Sequence, residues 1–168
     1  MKRTLAAVLL YGVISTSALA APIYTGVQLD DTATGIMFGY QIDRTYAVEL
    51  QYVEANTNVT HAGIVVDTRT SAVGIVGVAR FKMKLRNAML YSLFVKAGYE
   101  HVTNTEDYSI PTTVTLTLPY DDTETSNENR LILGGGAEYD FTKHVTGRAG
   151  LDFHGTDRSI YLAAMYKF

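Results

Sequence analysis

The 168-residue sequence predicts an all-β fold, an eight-stranded antiparallel up-and-down transmembrane β-barrel. Three observations carry this expectation. From about residue 23 onward, apolar and polar residues alternate with period two, which places successive side chains on opposite faces of a strand. Eight such runs occur, near 22–30, 33–42, 45–55, 68–81, 88–103, 127–140, 143–155 and 157–168, and an even number lets the sheet close with both termini at one end. Aromatic residues gather toward the ends of the apolar faces, at Tyr40, Tyr46, Tyr52, Tyr99, Tyr139, Phe141, Phe153, Tyr166 and Phe168, as where a barrel wall meets two membrane interfaces.

The first segment reads differently from the rest. Lys2 and Arg3 precede an apolar run from Leu5 to Ile14, then Ser15-Thr16-Ser17 and Ala18-Leu19-Ala20. A charged start, a short apolar core and a small-x-small end define a secretory signal peptide over 1–20, with cleavage expected after Ala20. The run is well short of the roughly 20 residues that a membrane anchor needs. Residues 21–168 are left as the barrel domain.

Each strand-like run has its own pattern. In 22–30, Val27 and Leu29 face away from Gln28. Ile36, Phe38, Tyr40 and Ile42 oppose Gly39 and Gln41, and Tyr46, Val48, Leu50 and Tyr52 oppose Ala47, Glu49 and Gln51. The run 68–81 sets Val73, Ile75, Gly77 and Ala79 against Gly74, Val78 and Arg80, and 88–103 sets Tyr91, Leu93, Val95, Ala97 and Tyr99 against Ser92, Lys96, Gly98 and Glu100. Leu131, Leu133, Gly135, Ala137 and Tyr139 oppose Arg130, Ile132, Gly134, Gly136, Glu138 and Asp140. Val145, Gly147, Ala149, Leu151 and Phe153 oppose Thr146, Arg148, Gly150, Asp152 and His154. The last run is the clearest, with Ile160, Leu162, Ala164, Tyr166 and Phe168 on one wholly apolar face. Gly39, Gly98, Gly134, Gly136 and Gly150 fall on the polar parity, where a narrow lumen needs room for long side chains. The connectors 43–44, 82–87 and 141–142 are short, 56–67 and 104–126 are long, and 31–32 and 156 are tight.

Composition removes several functions. With no Cys there is no disulfide framework, no thiolate nucleophile and no Cys-based metal site. A formal net charge of -3 gives no basic footprint for nucleic acid. Mean hydropathy of +0.05 is that of an ordinary soluble domain, because an apolar parity and a charged one cancel.

The terminal run Ile160-x-Leu162-x-Ala164-x-Tyr166-x-Phe168 is similar to the C-terminal assembly signal of bacterial outer-membrane barrels. Gly39-Tyr40-Gln41-Ile42, Ala47-Val48-Glu49-Leu50-Gln51-Tyr52, Val95-Lys96-Ala97-Gly98-Tyr99 and Gly134-Gly135-Gly136-Ala137-Glu138-Tyr139 resemble the opacity-protein and outer-membrane protein A/X group. The resemblance covers essentially all of 21–168. It implies a monomeric protein of the Gram-negative outer membrane, in contact with its lipid and lipopolysaccharide and inserted by the barrel-assembly machinery.

Glu49, Arg80, Lys96, Glu100, Arg130, Glu138, Asp140, Arg148 and Asp152 share the inward parity and are expected to form a salt-bridge network, since a buried charge without a partner is costly. In the outer-membrane protein A group a similar Glu/Lys/Glu/Arg cluster is implied in plugging the lumen; Glu49, Lys96, Glu138 and Arg148 match it by strand and parity. A plugged interior is favoured over a narrow ion or solute channel, the alternative role. The connector 104–126 carries Glu106, Asp107, Asp121, Asp122 and Glu124 and reads as a hairpin broken at Pro111 and Pro119, a surface for a host or surface protein. No ordered metal-ligand spacing occurs in it, and no metal or cofactor is expected. His154, Asp152 and Ser159 make a minimal acyl-transfer set, but the His-x-Ser spacing of lipid A deacylases is absent, so no catalytic centre is expected and a lipid A-modifying enzyme ranks last. The sequence thus points to a structural and surface-interaction protein, adhesin-like in role.

Overall fold

The computed structural model describes residues 22–61, 64–84, 90–109 and 121–168. Eight strands follow one another: β1 (Ile23–Asp30), β2 (Ala33–Gln41), β3 (Tyr46–His61), β4 (Ile64–Lys84), β5 (Leu90–Ser109), β6 (Asp121–Asp140), β7 (Val145–His154) and β8 (Asp157–Lys167). Each pairs antiparallel with the next, and β1 pairs with β8 from Tyr24↔Lys167 to Asp30↔Tyr161, so the sheet closes as a barrel. The expected fold class is the one observed. Residues 1–20, and with them the expected leader, lie outside the described residues.

Both chain ends of the barrel lie with the turns 42–45 and 141–144. Asp43 Oδ1 accepts hydrogen bonds from the backbone N–H groups of Thr45 and Tyr46, each at 2.7 Å. Thr142 Oγ1 does the same for His144 at 3.1 Å and Val145 at 2.9 Å. A short polar side chain fixes each turn before the next strand begins. Donation from Tyr46 and then Thr45 holds the Asp43 carboxyl below its ordinary range. At the opposite end Gly155-Thr156 joins β7 to β8, with Gly155 at φ 66°, in the left-handed region that glycine enters without strain.

Burial is inverted relative to a water-soluble barrel. Leu131 is 65% exposed and Ile160 68%, whereas Glu49 is 0% and Lys96 2%. The outward residues of β5 run Tyr91, Leu93, Val95, Ala97, Tyr99 and then turn polar at His101, Thr103 and Thr105, an apolar length matching the ~9–11 residues of a tilted crossing. On β6 the same change falls between Leu131 and Asn129, and on β3 between Tyr52 and Glu54. Near the termini, Tyr139 packs edge-on against Phe141 at 5.0 Å and Tyr166 against Phe168 at 5.2 Å.

Five strand boundaries, on β3, β4, β5 and β6, differ substantially from the sequence expectation. The segment 56–67 is not a long connector: β3 and β4 stay paired to His61↔Ile64. β5 and β6 stay paired to Ser109↔Asp121, so much of 104–126 is ladder, with Pro111 and Pro119 outside the described residues. β4 runs on to Lys84. Above the apolar belt both faces of a strand meet water, so the alternation that marks a strand in the membrane disappears while the hydrogen-bonded ladder continues.

The wall makes a measurable demand. Leu133→Arg, on the outward face of β6 within the apolar belt, is expected to cost about 2–4 kcal/mol in a bilayer. Urea unfolding of the two forms in lipid vesicles measures it; a cost near zero would mean that this face does not meet hydrocarbon.

Candidate functional site in the barrel interior

The inward parity is not uniformly charged. Met37, Val76, Val78, Phe94, Ile132 and Met165 are buried there beside the ionised groups. Against that apolar packing the charges form three levels, stacked from the end holding the termini toward the loop end.

The first level centres on Arg148 of β7. Its Nη1 donates to Glu49 Oε2 at 2.8 Å and its Nη2 to Glu49 Oε1 at 2.6 Å, a two-pronged fit of guanidinium to carboxylate. The same guanidinium donates to Glu138 Oε1 from Nε at 2.9 Å and from Nη2 at 2.7 Å. Arg80 of β4 closes the group, with Nε on Glu138 Oε2 at 3.0 Å and Nη2 on Tyr24 Oη at 2.6 Å and on Glu49 Oε1 at 3.3 Å. The Tyr24 hydroxyl donates to Glu49 Oε1. Two guanidiniums face two carboxylates, so the level is electrically neutral. Arg80 also lies over the Tyr24 ring and Arg148 over Phe94.

The second level is Lys96 of β5 and Asp152 of β7, paired at 2.7 Å and both almost wholly buried. Lys96 Nζ also donates to Gln51 Oε1 at 3.4 Å and lies 4.6 Å from the centre of the Tyr161 ring. Gln51 Nε2 donates to Glu49 Oε2 at 3.0 Å, which ties the second level to the first. Together the two levels reach across the lumen from β3 and β5 to β7, with Glu49, Lys96, Arg148 and Asp152 all buried.

Three glycines open the space that these side chains use. A Cβ at Gly39 would lie 2.1 Å from the Tyr24 ring, one at Gly150 2.7 Å from Tyr161, and one at Gly134 2.1 Å from Asp152 Oδ1. In the register Tyr24 pairs with Gly39 and Tyr161 with Gly150. Each large inward ring leans over a neighbour that has no side chain.

The third level lies toward the loop end. Arg130 of β6 donates from Nε to Glu100 Oε1 at 3.1 Å, His154 Nδ1 lies 2.8 Å from the same oxygen, and His154 Nε2 lies 3.3 Å from Ser159 Oγ. Asp30 of β1 lines the same cavity as Ser159. These residues line a cavity of about 140 Å³ whose floor includes Gln51 and Asp152.

The remaining sequence-derived residues fall elsewhere. Asp140 is not in the central cluster: as the last residue of β6 it is exposed at the rim, paired with Lys167 Nζ at 2.7 Å and accepting from Thr146 Oγ1. Ile160, Leu162, Ala164 and Tyr166 line the outer face of β8, and Phe168 follows it, its N–H on Ile23 O at 3.2 Å. Asp107 and Glu124 are exposed on the extended β5–β6 ladder, where Thr123 donates to Asp107, and the side chains of Asp121 and Asp122 lie outside the described residues. No cluster of three metal-ligating residues occurs among the described residues. Tyr24, Gln51 and Tyr161 belong to the network and were not anticipated; the signal was an inward glycine paired across the ladder with each tyrosine.

Closed antiparallel topology, an apolar outer wall and buried charges inside define a small outer-membrane β-barrel. The model of the OmpA-like transmembrane domain matches residues 16–154, and the chain belongs to that family. Among solved structures it is similar to the N-terminal barrel domain of Pseudomonas aeruginosa OprF, with TM-score 0.60 and 16% identity over 87% of this chain and 95% of that one. Neisserial surface protein A matches with TM-score 0.57 and 14% identity, covering 87% and 94%. Ail, the attachment invasion locus protein of Yersinia pestis, matches with TM-score 0.52 and 15% identity, covering 87% and 93%. No curated protein sequence matches.

Breaking the first level tests its contribution. Arg148→Met strands Glu49 and Glu138 beside a single remaining cation and is expected to cost about 3–5 kcal/mol, measured by urea unfolding in vesicles. Adding Glu138→Gln to it should recover part of that loss; equal stability of wild type and Arg148→Met would show the pairing to be energetically idle.

Proposed function

We propose that this protein is a plugged outer-membrane barrel that serves as a rigid pedestal for a surface-interaction sheet. The observation that carries the reading is a difference in strand length. β2 stops at Ala33↔Ala55 and β7 at Ile132↔His154, while β3, β4, β5 and β6 remain paired well beyond those points. A four-stranded sheet therefore projects past the apolar belt, with unpaired backbone along β3 from residue 56 and along β6 from 121 to 131. Such edges accept an added strand from a partner.

Charge selects the partner. The projecting stretches carry Asp67, Glu106, Asp107, Asp121, Asp122, Glu124 and Glu128, against Arg69, paired with Glu54 at 2.8 Å, and Arg130, paired with Glu100 at 3.1 Å. An extended basic segment of a host or neighbouring surface protein suits this sheet. Ail of Yersinia pestis has been solved in complex with the heparin analogue sucrose octasulfate. A polyanion of that kind would be repelled here. Insertion by the barrel-assembly machinery through the Ile160-to-Phe168 run, export through a cleaved 1–20 leader and a monomeric state complete the reading.

Two measurements test it. Planar-bilayer recording of the purified protein is expected to show no stable conductance steps, because the first two charged levels reach across the lumen; regular steps would favour the channel role. Replacing 105–125 by a short turn should leave heat-modifiable gel mobility intact while cell-surface adhesion falls to that of cells lacking the protein. Unchanged adhesion would retire the projecting sheet as the binding element.

A further inference from the structure

The third charged level plays no part in plugging the lumen, and its geometry has a chemical meaning of its own. Glu100 on β5, His154 on β7 and Ser159 on β8 stand in a line: carboxylate to Nδ1 at 2.8 Å, Nε2 to hydroxyl at 3.3 Å. We propose that these three residues form a hydrolytic triad in the outer vestibule of the barrel, acting on small esters. This goes beyond the surface-contact role and does not rest on it.

The Glu100 side chain is 5% exposed and that of His154 20%, while Ser159 is half-buried. The acid is shielded, and the base and the nucleophile both line the cavity. Arg130, which lines the same cavity of about 140 Å³, fixes Glu100 through its own hydrogen bond at 3.1 Å. Its guanidinium, whose Nη1 also faces Asp157 at 3.7 Å, is the charged side-chain donor beside the cavity for an oxyanion. The cavity is lined at its top by Asp30, Ala33 and Ala55, at the loop end, and is floored by the Lys96–Asp152 level. A substrate would enter from outside the cell and could go no further.

The steps balance without a cofactor. His154 Nε2 takes the Ser159 proton as Oγ bonds to the ester carbonyl carbon. The tetrahedral intermediate collapses, the C–O bond to the alcohol breaks, and His154 returns the proton to that leaving oxygen. Water then adds to the acyl-serine, giving its proton to His154, and the acid leaves as His154 reprotonates Ser159. Glu100 holds the imidazole in the tautomer that presents a bare Nε2.

Refolded full-length protein in detergent micelles, given p-nitrophenyl acetate and separately a fluorophosphonate probe, tests this. Nitrophenolate release should exceed that of micelles alone and fall at least tenfold in Ser159→Ala and in His154→Ala. Peptide mass analysis should find the phosphonyl group on Ser159 of the wild type and not in His154→Ala. Heat-modifiable mobility checks that each variant is folded. A folded Ser159→Ala with the wild-type rate, or a Ser159 that the probe leaves unmodified, overturns the triad and leaves the three residues as a hydrogen-bond chain satisfying one another.

Discussion

Arg148 forms a two-pronged contact with Glu49 and shares its remaining donors with Glu138, in a space from which water is excluded. Much of the interior is arranged around that contact. Two carboxylates brought together on one guanidinium carry an excess negative charge, which Arg80 from β4 supplies the cation to cancel. Arg80 reaches them across the Tyr24 ring, and Tyr24 fits because β2 offers Gly39 at the paired position. A single ion pair thus accounts for residue choices on β1, β2, β3, β4, β6 and β7. The desolvation cost of burying such groups is large, and only neutrality with nearly complete hydrogen bonding offsets it.

The same logic repeats one level up and then changes. Lys96 and Asp152 are neutral as a pair, and Gly134 leaves the space that Asp152 Oδ1 occupies. Among the described residues that oxygen has no hydrogen-bond partner within ordinary distance, and neither has the Tyr161 hydroxyl, so polar satisfaction is already less complete than at Arg148. At the third level the wall residues remain polar but a cavity opens between them. The interior is therefore graded, from fully paired charges at the end holding the termini to a cavity at the loop end.

The alternation of Ile160, Leu162, Ala164 and Tyr166 with Tyr161, Ala163 and Met165 was sufficient to place β8, because a membrane strand has a lipid on one side and a lumen on the other. The polar stretch from Asn56 to Asp67 gave no such signal. The ladder, which leaves no trace in side-chain type, keeps Asn56 opposite Arg69. The charged residues were visible individually, yet their pairing was not. Parity places Lys96 and Glu138 in the lumen together, but Asp152 is the carboxylate that Lys96 reaches. Height along the barrel, set by strand stagger, decides partners, and stagger is a property of the closed sheet rather than of any one strand. Asp140 shows the same limit: correct in parity, it sits one step beyond Glu138 and so at the rim.

Strand length finally separates two kinds of surface on one barrel. β1, β2, β7 and β8 end close to where the apolar belt ends, so the mouth on that side is low and the residues at its lip, Asp30, His154 and Ser159, stand at the water boundary. β3, β4, β5 and β6 continue and raise an acidic wall on the opposite side. A molecule approaching the mouth meets the wall first and the vestibule second. On the proposed reading, the wall would favour positive charge at long range, where exposed charges act within roughly a Debye length, and the vestibule would discriminate by contact at a few ångströms. Because the strands that build the wall include β5 and β6, which also hold Glu100 and Arg130, a partner strand added along the β6 edge would lie directly above Arg130 and narrow the entrance to the cavity. Surface contact and vestibule access are coupled by the geometry of those two strands.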